Sequence, residues 1–425
     1  MKFSISRIIR RSEFLRNNIQ MLSGTMLAQV INFLFNIYLT RVYSPVSFGK
    51  FSLFMSVLSV CLVFSTFKLD IEIVKSDGAH KVYKNMLWAY QANILVSICS
   101  LFFFALLRYL NYFHLQEYSW IWVIAVFIVV FLQSSVQILW MYGIKNKLYL
   151  HQSQYKIYEA LVMNISYALV YRLKDLGLLI ANIFSLIVNN VLLIMFFRKR
   201  LSILKLSKDV LNRLEFTELV EKLIQQRYYI LQSVLEILQV SLISFYFSEK
   251  TEFLGYYYLS MRVLQVPFRL LSLPISQVFF SEIAARKNKG ENSMPLVQKS
   301  LWMMVAFTIP IIGIILWWGE NLFGWLFGEP WQYSGRIAKI LLIWMMADFI
   351  KANMMQIMYL YERQKEVFRN LLWSVLLMIV IFYTGRYFRW SEYRILWLIS
   401  ITQSIFIIGI IVRSYQVIKT HYETI

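Results

Sequence analysis

The sequence predicts an all-α integral membrane protein with about twelve transmembrane helices in two six-helix lobes. Three observations predict it. Of 425 residues, 59% are hydrophobic and only 16% are charged, where a soluble domain averages about 25% charged. The apolar residues gather into long runs, each near the roughly 20 residues needed to cross a bilayer. The basic residues, which outnumber the acidic ones 43 to 23, sit mostly in short segments between those runs, where Lys and Arg orient helices. A net charge of +20 would otherwise point to nucleic acid; its placement points to a membrane instead.

The spans fall at about 17–40, 48–67, 85–107, 118–142, 154–172, 176–197, 228–248, 253–280, 299–319, 336–361, 367–385 and 393–413. With a cytoplasmic N-terminus, the inner segments collect Arg7, Arg10, Arg11 and Arg16, the run from Arg198 to Arg227, and Arg286, Lys287, Arg363, Arg369 and Arg413. Outer segments are poorer in Lys and Arg, except for Arg386, Arg389 and Arg394. Both termini are therefore expected on the cytoplasmic side. The basic N-terminus leads into a retained first helix, because no small-residue cleavage site closes the first apolar run. The one long polar connection, 198–227, divides the chain into lobes 1–197 and 228–425 and alternates bases and acids at helical spacing, as a surface helix would. Cys61 and Cys99 lie inside spans and are expected as free thiols.

Residues 49–60, GKFSLFMSVLSV, align without gaps with 255–266, GYYYLSMRVLQV. Gly49, Leu53, Met55, Val57, Leu58 and Val60 have identical counterparts. Both segments run from outside to inside, which implies a parallel repeat about an axis along the membrane normal. Transporters of two such halves usually bind substrate between them. The second copy carries Arg262 where the first has Ser56.

That second copy opens the stretch 253–280, which is apolar yet holds Arg262, Arg269, Pro267 and Pro274. Seven residues is nearly two helical turns, so the arginines share a face, and each proline removes a backbone donor. An arginine at the bilayer centre costs roughly 2.5–3.5 kcal/mol on insertion scales. Either this face lines a polar cavity suited to an anion, or both arginines pair with acids on neighbouring helices.

Other polar residues sit at membrane depth. Gln29, Asn32 and Asn36 share a face of span one, with Arg41 at its outer end; Gln133 and Gln137 lie in span four; Glu236 lies in span seven; Asp348 and Lys351 are three apart in span ten. Interhelical hydrogen bonding is the ordinary role of such amides, and Asp348 and Lys351 are placed to neutralise each other. Glu236 has no partner in its own span, so it pairs with an arginine of span eight or titrates. The phosphate-binding loop of ATPases is missing. The four histidines form no zinc motif, and no outer loop offers paired carboxylates for sugar chemistry.

Four stretches, in order, resemble the polysaccharide-transporter branch of the multidrug/oligosaccharidyl-lipid/polysaccharide exporter (MOP, MATE-like) superfamily, especially its O-antigen flippases. They are SGTMLAQVINFLFNIYLTRVYSPVSFGKFSLFMSVLSV at 23–60, FKLDIEIV at 67–74, LGYYYLSMRVLQVPFRLLSLPISQVFFSEIAARKNKGE at 254–291, and the stretch 320–365. In the second, Lys68 and Asp70 stand where the family has Arg and Glu, and Glu72 takes a usually apolar place. The resemblance implies a central cavity that opens alternately to each side of the bacterial inner membrane. It implies an oligosaccharide on undecaprenyl pyrophosphate as substrate, an O-antigen polymerase and chain-length regulator as possible partners, and no catalysis by the chain itself. On that reading Arg262, Arg269 and Lys351 meet the pyrophosphate, Gln29, Asn32, Asn36, Gln133 and Gln137 meet the glycan, Arg41 belongs to the same substrate-binding set, and Glu236, Asp348 or Asp70 takes up a coupling H⁺ or Na⁺. No cofactor or resident metal is implied. A drug or organic-cation antiporter of the same superfamily would want an acidic cavity, and an integral-membrane glycan polymerase would want a large catalytic outer loop.

Overall fold

The computed structural model describes residues 13–198 and 216–423. Among the described residues every regular element is helical, as hydrocarbon demands of a backbone that finds no water. The helices are α1 (Glu13–Val42), α2 (Pro45–Phe64), α3 (Leu69–Lys75), α4 (Ala79–Tyr109), α5 (Trp120–Lys145), α6 (Tyr149–Leu169), α7 (Lys174–Phe197), α8 (Phe216–Tyr246), α9 (Thr251–Lys289), α10 (Met294–Phe327), α11 (Gln332–Leu360), α12 (Gln364–Tyr387) and α13 (Glu392–Glu423). All but the short α3 coincide one for one with the twelve expected spans. Nine of the membrane candidates among the described residues are long and apolar enough to cross by length and composition alone. The chain is a multi-pass membrane protein.

The chain packs as two compact units, Met1–Leu254 and Gly255–Ile425. This boundary follows contacts, whereas the expected lobes 1–197 and 228–425 follow the long polar connection, so the two divisions differ by one helix. In the first unit α8 lies against α2, where Ser241 Oγ donates to the Ser56 carbonyl at 3.3 Å. Two local surprises belong to the same unit. Helix α8 begins at Phe216, inside the segment expected to connect the lobes; the proposed surface helix over 199–215 lies outside the described residues. And span two does not run on to 67. It stops at Phe64, and Phe67 and Lys68 take left-handed φ values of 46° and 62° before α3 begins.

The motif LTRVYSPVSFG builds the turn from α1 to α2. Tyr43 Oη donates to the Tyr167 carbonyl at 2.8 Å. Ser44 caps α2 by accepting from the Ser47 amide at 3.3 Å, and Pro45 follows at the first helical position, where its missing N–H costs nothing. The repeat keeps its register: Gly49 lies four residues past the start of α2 at Pro45, and Gly255 four past the start of α9 at Thr251. Both glycines are buried. The cysteines are free thiols, Cys61 buried and Cys99 exposed on the surface of α4.

In the second unit α11 is central, contacting α10, α12 and α13. Ser260 Oγ reaches from α9 to the Ser334 carbonyl at 2.6 Å, and Ser400 Oγ from α13 to the Ile340 carbonyl at 2.7 Å. Small hydroxyls thus fasten helix to helix without taking space. At the α10–α11 crossing the backbones nearly touch: a Cβ on Gly335 would stand 2.3 Å from the Gly319 carbonyl oxygen. Gly335→Val should therefore force the helices apart and lower stability by about 1–3 kcal/mol. Gly313→Ala, whose Cβ meets only the Trp317 side chain at 3.6 Å, should be neutral or stabilising by about 0.5–1 kcal/mol. Denaturant or thermal unfolding in detergent separates the two; equal effects would contradict this packing.

Candidate functional site

In the first unit the polar residues of α1 divide. Asn32 is occupied, because its Oδ1 accepts from Asn164 Nδ2 of α6 at 2.6 Å. Asn36 is 1% exposed, and its Oδ1 has no hydrogen-bond partner among the described residues. Gln29 is half-buried, and Arg41 is exposed at the helix end. On α5, Gln133 is exposed, and Gln137 turns toward α3.

Asp70 is the most enclosed charge-bearing group among the described residues of this unit, with 0% exposure. Thr66 Oγ1 donates to Oδ1 at 2.7 Å, and Gln137 Nε2 donates to Oδ2 at 2.8 Å. The break at Phe67 and Lys68 creates this arrangement. Two left-handed non-glycine residues, each costing of the order of 1–3 kcal/mol, turn the chain so that α3 carries Asp70 inward. The neighbouring groups are spoken for. Glu72 accepts from Lys75 Nζ at 3.0 Å and from Gln226 Nε2 of α8 at 2.7 Å. Lys145 Nζ donates to the Val74 carbonyl at 3.1 Å. The carboxylate of Asp70 is thus held by two neutral donors, with no salt bridge to it among the described residues of its unit. Gln137 is consequently part of a carboxylate site and not an unengaged sugar contact. Glu236, on α8, is exposed and accepts from Gln232 Nε2 at 3.1 Å, so it does have a partner in its own span, four residues away.

In the second unit Arg262 projects from α9 with its guanidinium 6.0 Å from the Tyr258 ring, one turn back. Among the described residues of that unit no carboxylate lies in salt-bridge range of it. The side chain of Arg269 lies outside the described residues. Arg262 is eleven residues past Thr251, or roughly 16 Å along the helix, a length about half that of a hydrocarbon core about 30 Å thick. Ser56 is likewise eleven residues past the start of its own helix, α2. Asp348 and Lys351 form the expected i,i+3 ion pair, 2.5 Å apart. Nearby, Asn353 Nδ2 donates to Ser300 Oγ at 2.8 Å, while its Oδ1 accepts from Ser276 Oγ, joining α9, α10 and α11.

Sequence reasoning missed Thr66 and the Ser276–Asn353–Ser300 chain. Thr66 stands four residues before Asp70, a spacing that a helical reading would have paired had span two been unbroken. Ser276, Asn353 and Ser300 come from three helices, and no spacing in the sequence connects them. Among the described residues no group of three His, Cys, Asp or Glu gathers to hold a metal ion.

Residues 38–335 match the family described as "Polysaccharide biosynthesis protein". No curated protein matches the chain. Among solved structures, an inward-facing multidrug resistance MATE-family transporter of the MOP superfamily is similar with a TM-score of 0.73 at 13% identity, over 96% of this chain and 99% of that one. The lipid II flippase MurJ, in an inward closed conformation, gives 0.66 at 13% identity over 96% and 91%. A MOP-superfamily transporter from Pyrococcus furiosus, described as having a binding pocket of reverse polarity, gives 0.62 at 13% over 95% of each. At these identities the likeness establishes the fold, which is that of the MOP transporters.

The geometry around Asp70 makes a direct prediction. Thr66→Val keeps the shape and removes one donor, leaving a buried carboxylate under-bonded, and should cost about 1–3 kcal/mol of unfolding free energy in detergent. Wild-type stability in that variant would show that the Thr66 bond does not hold the site.

Proposed function

We propose that this chain, which belongs to the polysaccharide biosynthesis protein family, is a flippase that carries undecaprenyl-pyrophosphate-linked repeat units of O-antigen or a related polysaccharide from the cytoplasmic to the periplasmic face of the inner membrane. The observation that carries the proposal is Arg262: a cation about 16 Å along α9 with an aromatic ring for company and no carboxylate in range within its unit among the described residues. A charge at membrane depth without a partner is expensive, and a structural ion pair would have supplied one. A pyrophosphate supplies it transiently, through the forked donors that guanidinium offers to phosphate oxygens.

In this mechanism the head group enters from the cytoplasmic side and Arg262 takes the pyrophosphate, with Arg269 two turns on along the same helix. Lys351 joins only by leaving Asp348, which makes it a weaker contributor than the sequence implied. Gln29, Asn36 and Gln133 are the amides with capacity to spare for sugar hydroxyls. Asn32 and Gln137 are committed to Asn164 and Asp70. The lobes 1–197 and 228–425 rock about the site while the lipid tail stays in the bilayer. Outward movement of negative charge is favoured by an inside-negative potential, by about 2.3 kcal/mol per charge per 100 mV. Polymerase and chain-length regulator would act on the product at the outer face.

Of the three coupling candidates, Asp70 is best suited. Asp348 is already neutralised by Lys351, and Glu236 is exposed beside Gln232. Asp70 is buried and has no salt bridge among the described residues of its unit, so its charge is the one that a coupling proton would neutralise. Asp70→Asn should flatten the dependence of transport on the pH gradient; an unaltered dependence removes Asp70 from the cycle.

The decisive variants are at Arg262. Arg262→Glu should abolish surface polymer while the protein remains in the membrane at normal abundance, and Arg262→Lys, which keeps the charge but not the fork, should retain a fraction of it. Normal surface polymer in Arg262→Glu cells would end the role given to this residue. The organic-cation antiporter reading predicts the opposite sensitivity, to the acidic residues alone.

A further inference from the structure

One end of the second unit is a basic rim. Lys287 Nζ donates to the Leu360 carbonyl at 2.8 Å, joining the ends of α9 and α11, and Gln298 Nε2 donates to Tyr415 Oη at 3.0 Å, joining α10 and α13. Where α12 and α13 meet at this end there is a groove of about 240 Å³. Its mouth holds Arg369, Glu366 and Arg413; its walls include Trp373, Phe406 and Ile410, and Gly409 lies along its α13 side.

The charges at the mouth do not cancel. Arg413 binds Glu366 through two contacts, Nε–Oε2 at 2.7 Å and Nη2–Oε1 at 3.4 Å, and Arg363 Nη1 reaches the same carboxylate at 3.1 Å. Among the described residues Arg369 is in no salt bridge. Three guanidiniums against one carboxylate leave a formal +2. Helical spacing then sets one turn of apolar surface directly below the cations. Trp373 follows Arg369 by four residues on α12, and Gly409 precedes Arg413 by four on α13, so both pairs share a face. A Cβ at Gly409 would meet only Asn370 Nδ2, at 3.7 Å, so the glycine leaves the slot open. Trp373 is 58% exposed and lies nine residues past Gln364, roughly 14 Å along α12, which is hydrocarbon depth and out of reach of a water-soluble partner.

We propose that this α12–α13 groove binds an anionic phospholipid, its phosphate between Arg369 and Arg413 and an acyl chain along Trp373, Phe406 and Gly409. The occupant follows from the pairing of a cationic mouth with an apolar slot. A zwitterionic lipid would gain little from the net charge, a free phosphate would leave the slot unused, and a peptide partner would not reach it. Arginines close to an anionic bilayer surface favour such head groups. This site stands apart from Arg262 and does not depend on any transport reading.

The test is native mass spectrometry of the full-length protein in detergent, titrated with phosphatidylglycerol and, separately, phosphatidylcholine. Phosphatidylglycerol should bind more tightly. Arg369→Gln should weaken it about tenfold, as expected for loss of one charge-assisted contact. Gly409→Leu should do likewise by filling the slot, with every charge intact. Lys365→Gln, an exposed cation at the same end but outside the groove, should change affinity less than twofold. Equal affinity for the two lipids, unchanged binding in Arg369→Gln, an equal loss in Lys365→Gln, or displacement of the lipid by millimolar inorganic phosphate would each overturn the proposal. Arg369 is exposed, so its variant decides the matter even if Gly409→Leu is lost to misfolding, which size-exclusion chromatography would reveal.

Discussion

A peptide group in hydrocarbon has no water to bond, and leaving it unpaired costs several kcal/mol. That constraint runs through the whole chain. It requires long helices, and it requires the side chains that join them to satisfy one another as well. Ser260, Ser400 and Asn164 each spend a donor on a neighbouring helix. Where the chain does break, between Phe64 and Leu69, the break is stabilised by local bonds: Ser65 and Phe67 amides return to Leu62 and Phe64 carbonyls, and Thr66 turns its hydroxyl to Asp70.

The same constraint sorts the charges. Lys351 has Asp348, Glu72 has Lys75 and Gln226, and Lys339 of α11 has Glu320 of α10 at 3.0 Å. These are the arrangements a bundle needs to tolerate ions. Arg262 and Asp70 depart from it in opposite senses. One is a cation with a ring in place of an anion; the other is an anion with two neutral donors in place of a cation. Groups whose charge is uncompensated within their own surroundings are where a transporter binds what it moves, and that is why the functional reading rests on them.

Most of the fold was legible because apolar length is a strong signal. A long helix covers each of the twelve expected spans, nine of them long and apolar enough to cross among the described residues, and Gly49 and Gly255 hold matching positions four residues into α2 and α9. Less of the site was legible. Asp348 and Lys351 lie three apart on one helix, so their pairing follows from the helical period. Gln137 and Asp70 are 67 residues apart, and only packing brings them together. The end of span two was misjudged because Ser65–Lys68 contains neither Gly nor Pro; the left-handed turn there is imposed by tertiary structure. Helix α8 starts early for a related reason: Phe216–Arg227 is polar enough to read as a connection, yet it continues the helix that follows.

The flippase role is tested most directly by where lipid-linked sugar units come to rest in cells lacking this protein, scored with a probe that cannot cross the inner membrane. It predicts that single units accumulate on the cytoplasmic face, shielded from the probe, while surface polymer disappears. Units that reach the outer face normally and remain unpolymerised would contradict it, and would move the chain's role from translocation to assembly.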